Sequence, residues 1–366
     1  MSNMADIENE ELEGESTLDD KSSEYPDIVI NLIKEQFSLF ELKRRKEVSN
    51  KIQIDPDFQR GGVWDKKQKS ELIESILMGI PLPIIYLFED NSGTKQVVDG
   101  RQRLTTIFEY MNGSFLLSDL KMLKSENESY FNGLSPKYQS KIEDYQIQAY
   151  TILPPTPERV KFDIFDRVNR GGTRLNNQEM RNALYSGAST LLLRELAVDP
   201  LFLEATGNSV SSKRMKDRYI ILRFLGFFLL RTNRLSGIEY KSDVDEFLAD
   251  VMKAINGFSE NEIQGLKDSF RVAMRNCIDV LGDDAFRFFN AYGNRRPVSM
   301  GLFECISYML SNEIPDGTDL SSLKNRIESV KVEMDKSNMF GGRIDTTNGI
   351  KFRFDKADAI RSEFYD

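Results

Sequence analysis

The stretch "VVDGRQRLTT", residues 97–106, decides how this chain is read. Two valines run into an Asp-Gly pair, and two arginines follow where a helical apolar period begins. Leu104, Ile107, Phe108 and Met111 fall at i, i+3, i+4 and i+7, and Gly113 closes the pattern. A helix start normally favours acids, because the helix dipole places partial positive charge there. Arg101 and Arg103 go against that preference, and local rules tend to be broken at functional sites. Asp99 is placed to cap the helix, and Gly100 permits the tight turn. The first N–H groups of such a helix have no intrahelical partner and form an anion site. The arginines add charge-assisted hydrogen bonds to phosphate oxygens. The competing reading is a plain Asp-Gly turn with two solvated arginines, and pattern alone does not choose between them.

Around this motif the text reads as strands and helices. "LPIIYLFED" and "KQVVDG" are strands joined through "NSG". "KKQKSELIESILMG" is a helix with Leu72, Ile73, Ile76 and Leu77 on one face and Gly79 as its stop. A short strand and a helix open the fold within "IVINLIKEQFSLFELKRRKEVSN", and "KIQIDPDFQRGGVWD" is a short strand followed by a loop. "YQIQAYTIL" alternates like a strand. "ERVKFDIFDRVN" is a helix, the loop "RGGT" follows, and "NQEMRNALYSG" is a second helix with Asn176 and Glu179 spaced as a capping box. From about residue 190 the strand signals nearly vanish, although "NGIKFRF" alternates apolar and basic residues.

Composition narrows the chemistry. The chain has 366 residues and a net charge of −9. Nine acids against Lys21 put −8 on residues 1–24, a polar tail that reads as disordered, and leave −1 for the rest. The near-neutral body lacks the strongly basic balance of a dedicated duplex binder. There is no histidine, which removes imidazole acid/base chemistry and imidazole zinc sites. Cys277 and Cys305 read as buried core thiols. The acidic N-terminus is unlike a signal peptide, and "YIILRFLGFFLL" is too short to span a bilayer, so the expected location is cytoplasmic.

Two further loops could join the motif. "FQRGGVW" offers Arg60 as a phosphate clamp and Trp64 as a wall for a base, or as a core filler. "NRGGTRLNNQE" offers Gly171 and Gly172, whose backbone could face an anion or simply turn the chain. "KRMKDR" at 213–218 reads as a solvated basic face. Asp57, Asp99 and Glu179 are carboxylates within reach of a magnesium role, though common residue types say little alone.

In their order and spacing, "FQRGGVWD", "LIESILMGIPLPIIYLF", "VVDGRQRLTTI" and "FDIFDRVNRGGTRLNNQEMRNALYSG" resemble the N-terminal domain of GmrSD-type modification-dependent restriction enzymes. The resemblance spans roughly residues 35–190, and the later helices resemble the family's helical continuation less specifically. It implies an α+β chain with a ParB/sulfiredoxin-like domain over 25–189 and an all-α domain over 190–366. It implies that the domain binds and hydrolyses a nucleoside triphosphate with magnesium, gating DNA cleavage. Carried over by position, Asp99 and Arg103 take the catalytic places. Gly100, Arg101, Gln102, Thr105, Arg60, Trp64, Asn169, Gly171, Gly172 and Thr173 line the nucleotide site. Arg101 departs from the family's Gln, which adds charge and puts nucleotide preference and hydrolysis in question. Family members that cut DNA use an HNH-type domain with an essential histidine. Without histidine, this chain is expected to be a sensing or regulatory component acting on DNA with a separate effector or nuclease, with self-association left open. A non-enzymatic DNA-binding or adaptor protein, or a fold that has lost catalysis, are the alternatives.

Overall fold

The computed structural model describes residues 31–54, 64–156, 160–161, 164, 167, 176–337, 339–340 and 344–365, with Leu12. The rest of the acidic tail lies outside the described residues, as does most of the helix expected over 158–169. The described residues divide into two compact units, one within Glu24–Leu175 completed by Asn182–Leu184, the other Asn176–Arg181 with Tyr185–Asp366.

The first unit is built on a five-stranded mixed sheet, so the chain is α+β. Its strands are β1 (Leu32–Ser38), β2 (Ile52–Gln53), β3 (Ile85–Glu89), β4 (Lys95–Asp99) and β5 (Gln146–Ile152). Their order across the sheet is β1-β5-β3-β4-β2. β1 with β5 and β3 with β4 are antiparallel, and β5 with β3 and β2 with β4 are parallel. Its helices are α1 (Leu39–Glu47), α2 (Lys66–Met78), α3 (Arg101–Met111) and α4 (Pro136–Glu143).

Sequence chemistry accounts for these elements. Asp65 and Gln68 form a reciprocal capping box at the start of α2. Gly79 ends it in the left-handed region at φ 76°, which only glycine adopts freely. Strand alternation puts Phe37, Ile85, Leu87, Val97, Ile147 and Ala149 on one sheet face. The apolar sides of α2 and α3 complete that core, with Ile73, Ile76, Leu104 and Ile107 fully buried. Each such side chain contributes about 1.5–3 kcal/mol by leaving water.

The second unit is helical. After α5 (Asn177–Leu184) come α6 (Ala188–Leu196), α7 (Pro200–Ala205), α8 (Lys216–Arg231), α9 (Val244–Asn256), α10 (Glu260–Leu281), α11 (Met300–Met309), α12 (Leu320–Lys336) and α13 (Thr347–Phe364). Asn176 and Glu179 make the expected capping box of α5. Cys277 and Cys305 are fully buried, and burial pushes the Cys305 thiol up to about 12. No helix among the described residues is long and apolar enough to cross a membrane.

A buried ionic network ties this unit together. Arg223, the charge that interrupts the most apolar run, lies in α8 and pairs with Glu304 of α11 and with Asp345. Arg353 of α13 reaches the same Glu304 through Nε at 3.0 Å and through Nη2. Glu304, Arg223 and Arg353 are all essentially inaccessible to solvent. Burial works against the Arg223 charge, yet Glu304 and Asp345 outweigh it and hold its pKa above the ordinary value.

Two expectations are corrected here. The alternation in "NGIKFRF" does not make a strand, because the segment lies inside α13. Its buried basic residue is Arg353, whose partner Glu304 is remote in sequence. "KRMKDR" is not a plain solvated face. Arg214 and Met215 both take left-handed backbone at φ 59°, and Asp217 and Arg218 are buried at 7% and 6% exposure.

Replacing Glu304 with Ala leaves two buried guanidinium groups without their shared carboxylate. Urea denaturation of Glu304→Ala should show a loss of about 3–5 kcal/mol. A loss under 1 kcal/mol would mean that the network contributes little to this fold.

Candidate functional site

The candidate site is the junction of β4 and α3. β4 is buried up to Val98, and Gly100 turns the chain at φ 94° and ψ 8°. A Cβ at Gly100 would stand 2.4 Å from Ile85 Cγ2 and 3.1 Å from Ile85 Cβ. Glycine is therefore demanded twice, by the left-handed backbone and by the close approach of β3. Gly100 is itself the N-cap of α3, and no described side chain caps that helix.

This corrects the capping role expected of Asp99. Asp99 is the last residue of β4, too early to reach the first-turn amides. Its carboxylate accepts instead from Arg103 Nη2 at 2.7 Å, one helical turn on. Arg103 Nη2 also lies 3.4 Å from the Ile84 carbonyl, and Nη1 donates to the carbonyl of Pro83. The Arg103 side chain is 13% exposed and that of Asp99 33%. Burial lowers the pKa of Arg103, and the neighbouring Asp99 carboxylate counters only part of that shift.

Arg101 behaves differently from the expectation. It is 5% exposed and turned inward. Its Nε donates to the Val97 carbonyl at 2.7 Å and its Nη2 to the Ala183 carbonyl at 3.2 Å. In this arrangement it fastens the end of β4 to Ala183, a residue of the same unit, and is not turned outward as a surface clamp for phosphate. The physical reason is reach, since a guanidinium is long enough to turn back from a helix start and serve two backbone carbonyls at once.

The other expected residues separate into two groups. Gln102 is partly exposed and Thr105 is exposed on the outer side of α3, near its start. Trp64 is partly buried and packs on the core of the sheet, which is the core-filler reading. Arg60, Asp57, Asn169, Gly171, Gly172 and Thr173 lie outside the described residues. Glu179 belongs to the α5 cap and also pairs with Arg214 at 3.2 Å. Among the described residues no three His, Cys, Asp or Glu side chains converge on a point that could hold a metal ion.

One charged cluster was not singled out in the sequence. Lys95 is 5% exposed, and its Nζ donates to Glu35 Oε2 and Glu89 Oε2, each at 2.7 Å. Glu35 lies on β1 and Glu89 on β3, so only the strand order brings them together. A lysine at the first position of a strand carries no local sign of burial, and the sequence held no signal of its two partners.

Two substitutions test this geometry. Gly100→Ala should lose about 2–5 kcal/mol in chemical denaturation, from left-handed strain and from contact with Ile85. Arg101→Ala should lose about 1–3 kcal/mol, because the buried Val97 and Ala183 carbonyls lose their donors. If Arg101→Ala left stability unchanged, the inward anchoring role would be wrong.

The chain has no match among the curated proteins. Residues 38–186 match the family model described as the GmrSD restriction endonuclease, N-terminal domain. The matched span takes in α1, four of the five strands whole and the β4–α3 junction with its "DGRQR" turn. It is this part of the chain, residues 38–186, that the match places with the GmrSD restriction endonuclease N-terminal domain family.

Proposed function

We propose that the chain is a nucleoside-triphosphate-binding regulatory component of a restriction or anti-phage system, with phosphate held at the start of α3. The observation that carries this reading is the turn at Gly100, which sets a helix start at the end of a buried strand beside the Asp99–Arg103 pair. A helix start offers N–H groups and the positive end of its dipole to an anion. Asp99, the residue before Gly100, is turned to Arg103. Gln102 and Thr105 flank the same start from partly open positions.

These residues fit a phosphate group in a particular way. Arg103 would exchange its Asp99 contact for a phosphate oxygen, and Asp99 would then be the carboxylate nearest a magnesium ion. Arg101 would hold the turn in place from behind. A bound triphosphate supplies a multiply charged group whose terminal phosphate distinguishes the loaded state from the spent one. The ParB/sulfiredoxin-like description of the domain, action on DNA and a separate effector or nuclease belong to the same proposal. The family match supports the restriction context.

A thermal-shift series with ATP, GTP, CTP and UTP in the presence of magnesium tests the reading. At least one nucleotide should stabilise the protein, by about 2.7 kcal/mol at a hundredfold excess over Kd. Arg103→Ala should abolish that shift while the far-ultraviolet circular dichroism stays unchanged. A flat response to all four nucleotides would sink the proposal and leave DNA binding or an adaptor role in its place.

A further inference from the structure

The sheet face turned away from the core changes character across its width. On β1 and the first part of β5 it is open, with Lys34, Gln36 and Gln148 exposed, while Ile152 at the end of β5 is buried. On β3 and β4 it is closed, with Phe88, Gln96 and Val98 at 5%, 6% and 3% exposure. Tyr150 and Tyr86 stand at the border, each partly exposed. They face each other across β5 and β3, with ring centroids 5.7 Å apart and planes at 41°.

The register ties this pair to the β4–α3 junction. The β3–β4 ladder shifts between Tyr86 and Leu87, so that Tyr86 stands opposite Asp99. An unshifted ladder, with Leu87 opposite Val97, would have placed Val98 there. The extra residue brings Asp99 into one row with Tyr86 and Tyr150. On the same face, Gln96 stands opposite Phe88. Its carboxamide is buried, and neither Oε1 nor Nε2 has a hydrogen-bond partner among the described residues. An unpaired donor and acceptor side by side are costly, and a partner offering the complementary pair removes that cost.

We propose that Tyr86 and Tyr150 form a stacking platform for a nucleobase, and that the Gln96 carboxamide pairs with the edge of that base. Aromatic side chains on a sheet face stack bases whatever their identity, and a base edge presents a donor beside an acceptor, which a carboxamide matches. The inference rests on the phosphate reading of the α3 start, since Asp99 joins the platform to it. Base and phosphate of one nucleotide would be held by neighbouring parts of one sheet. A free nucleoside triphosphate and a base turned out of a DNA strand present the same chemistry, and the experiment separates them.

The test compares the unaltered chain with Tyr86→Ala, Tyr86→Phe and Gln96→Leu by calorimetry. The probes are nucleoside triphosphates with magnesium, inorganic tripolyphosphate with magnesium, and a short single-stranded oligonucleotide. A base-bearing probe should bind on the order of tenfold more tightly than tripolyphosphate, with Tyr86→Ala removing that advantage and Tyr86→Phe keeping it. Gln96→Leu should raise the Tm of the free protein and level its preference among bases. If tripolyphosphate binds as well as every nucleotide and Tyr86→Ala changes nothing, the platform is overturned while the phosphate site stands. Binding of the oligonucleotide alone, lost in Tyr86→Ala, keeps the platform and overturns the triphosphate reading. No binding of any probe overturns both.

Discussion

The approach of Gly100 to Ile85 is the constraint on which the rest of the sheet unit depends. β4 must end, and α3 must begin, within one residue packed against β3. A side chain there would collide with Ile85 and strain the backbone together. Because the turn is this tight, α3 leaves the sheet with its apolar face already directed at the core. The same tightness keeps Asp99 out of the capping position, and no described side chain caps the helix start.

Much of this fold is written locally. Gly79, the Asn176–Glu179 box and the Leu104–Met111 period are short-range signals, and each element forms where its residues place it. The features that the local pattern does not show share a cause, which is a partner distant in sequence. Arg101 looks like a surface cation until Ala183 supplies a carbonyl. Lys95 opens a strand with nothing nearby to mark it as buried, until β1 and β3 deliver two carboxylates. "NGIKFRF" looks like half a strand until Glu304 gives Arg353 a reason to be buried in a helix. At the candidate site, the motif and its junction were legible, because strand, turn and helix are contiguous. The inward turn of Arg101 and the Asp99–Arg103 pair were not, since the reach of a guanidinium leaves no trace in a local pattern.

The helical unit holds its shape by a different balance. Aromatic packing fills it, as in the stacked Phe227–Phe247 pair at 5.1 Å. Through that apolar mass run Arg223, Glu304 and Arg353 with Asp345 at one end. Apolar packing tolerates sliding of one helix against another. Shared guanidinium–carboxylate contacts tolerate it poorly, because a displaced buried charge has no water to turn to. The network therefore links α8, α11 and α13 through one shared carboxylate, so that sliding any of them would break a buried contact.

The sheet order carries a consequence for how the chain comes into being. Among the described strands β1 pairs with β5 alone, and Glu35 meets the Thr151 hydroxyl across 116 positions. At ordinary synthesis rates, β1 leaves the ribosome on the order of ten seconds before its neighbour does. β3 and β4 can close as a hairpin in that interval, while β1 waits with its hydrogen-bonding edge open. Non-local pairing of this kind makes a sheet slow to close. During synthesis the Glu35 carboxylate stays in water until β5 arrives, so the first strand made is the last to find its place.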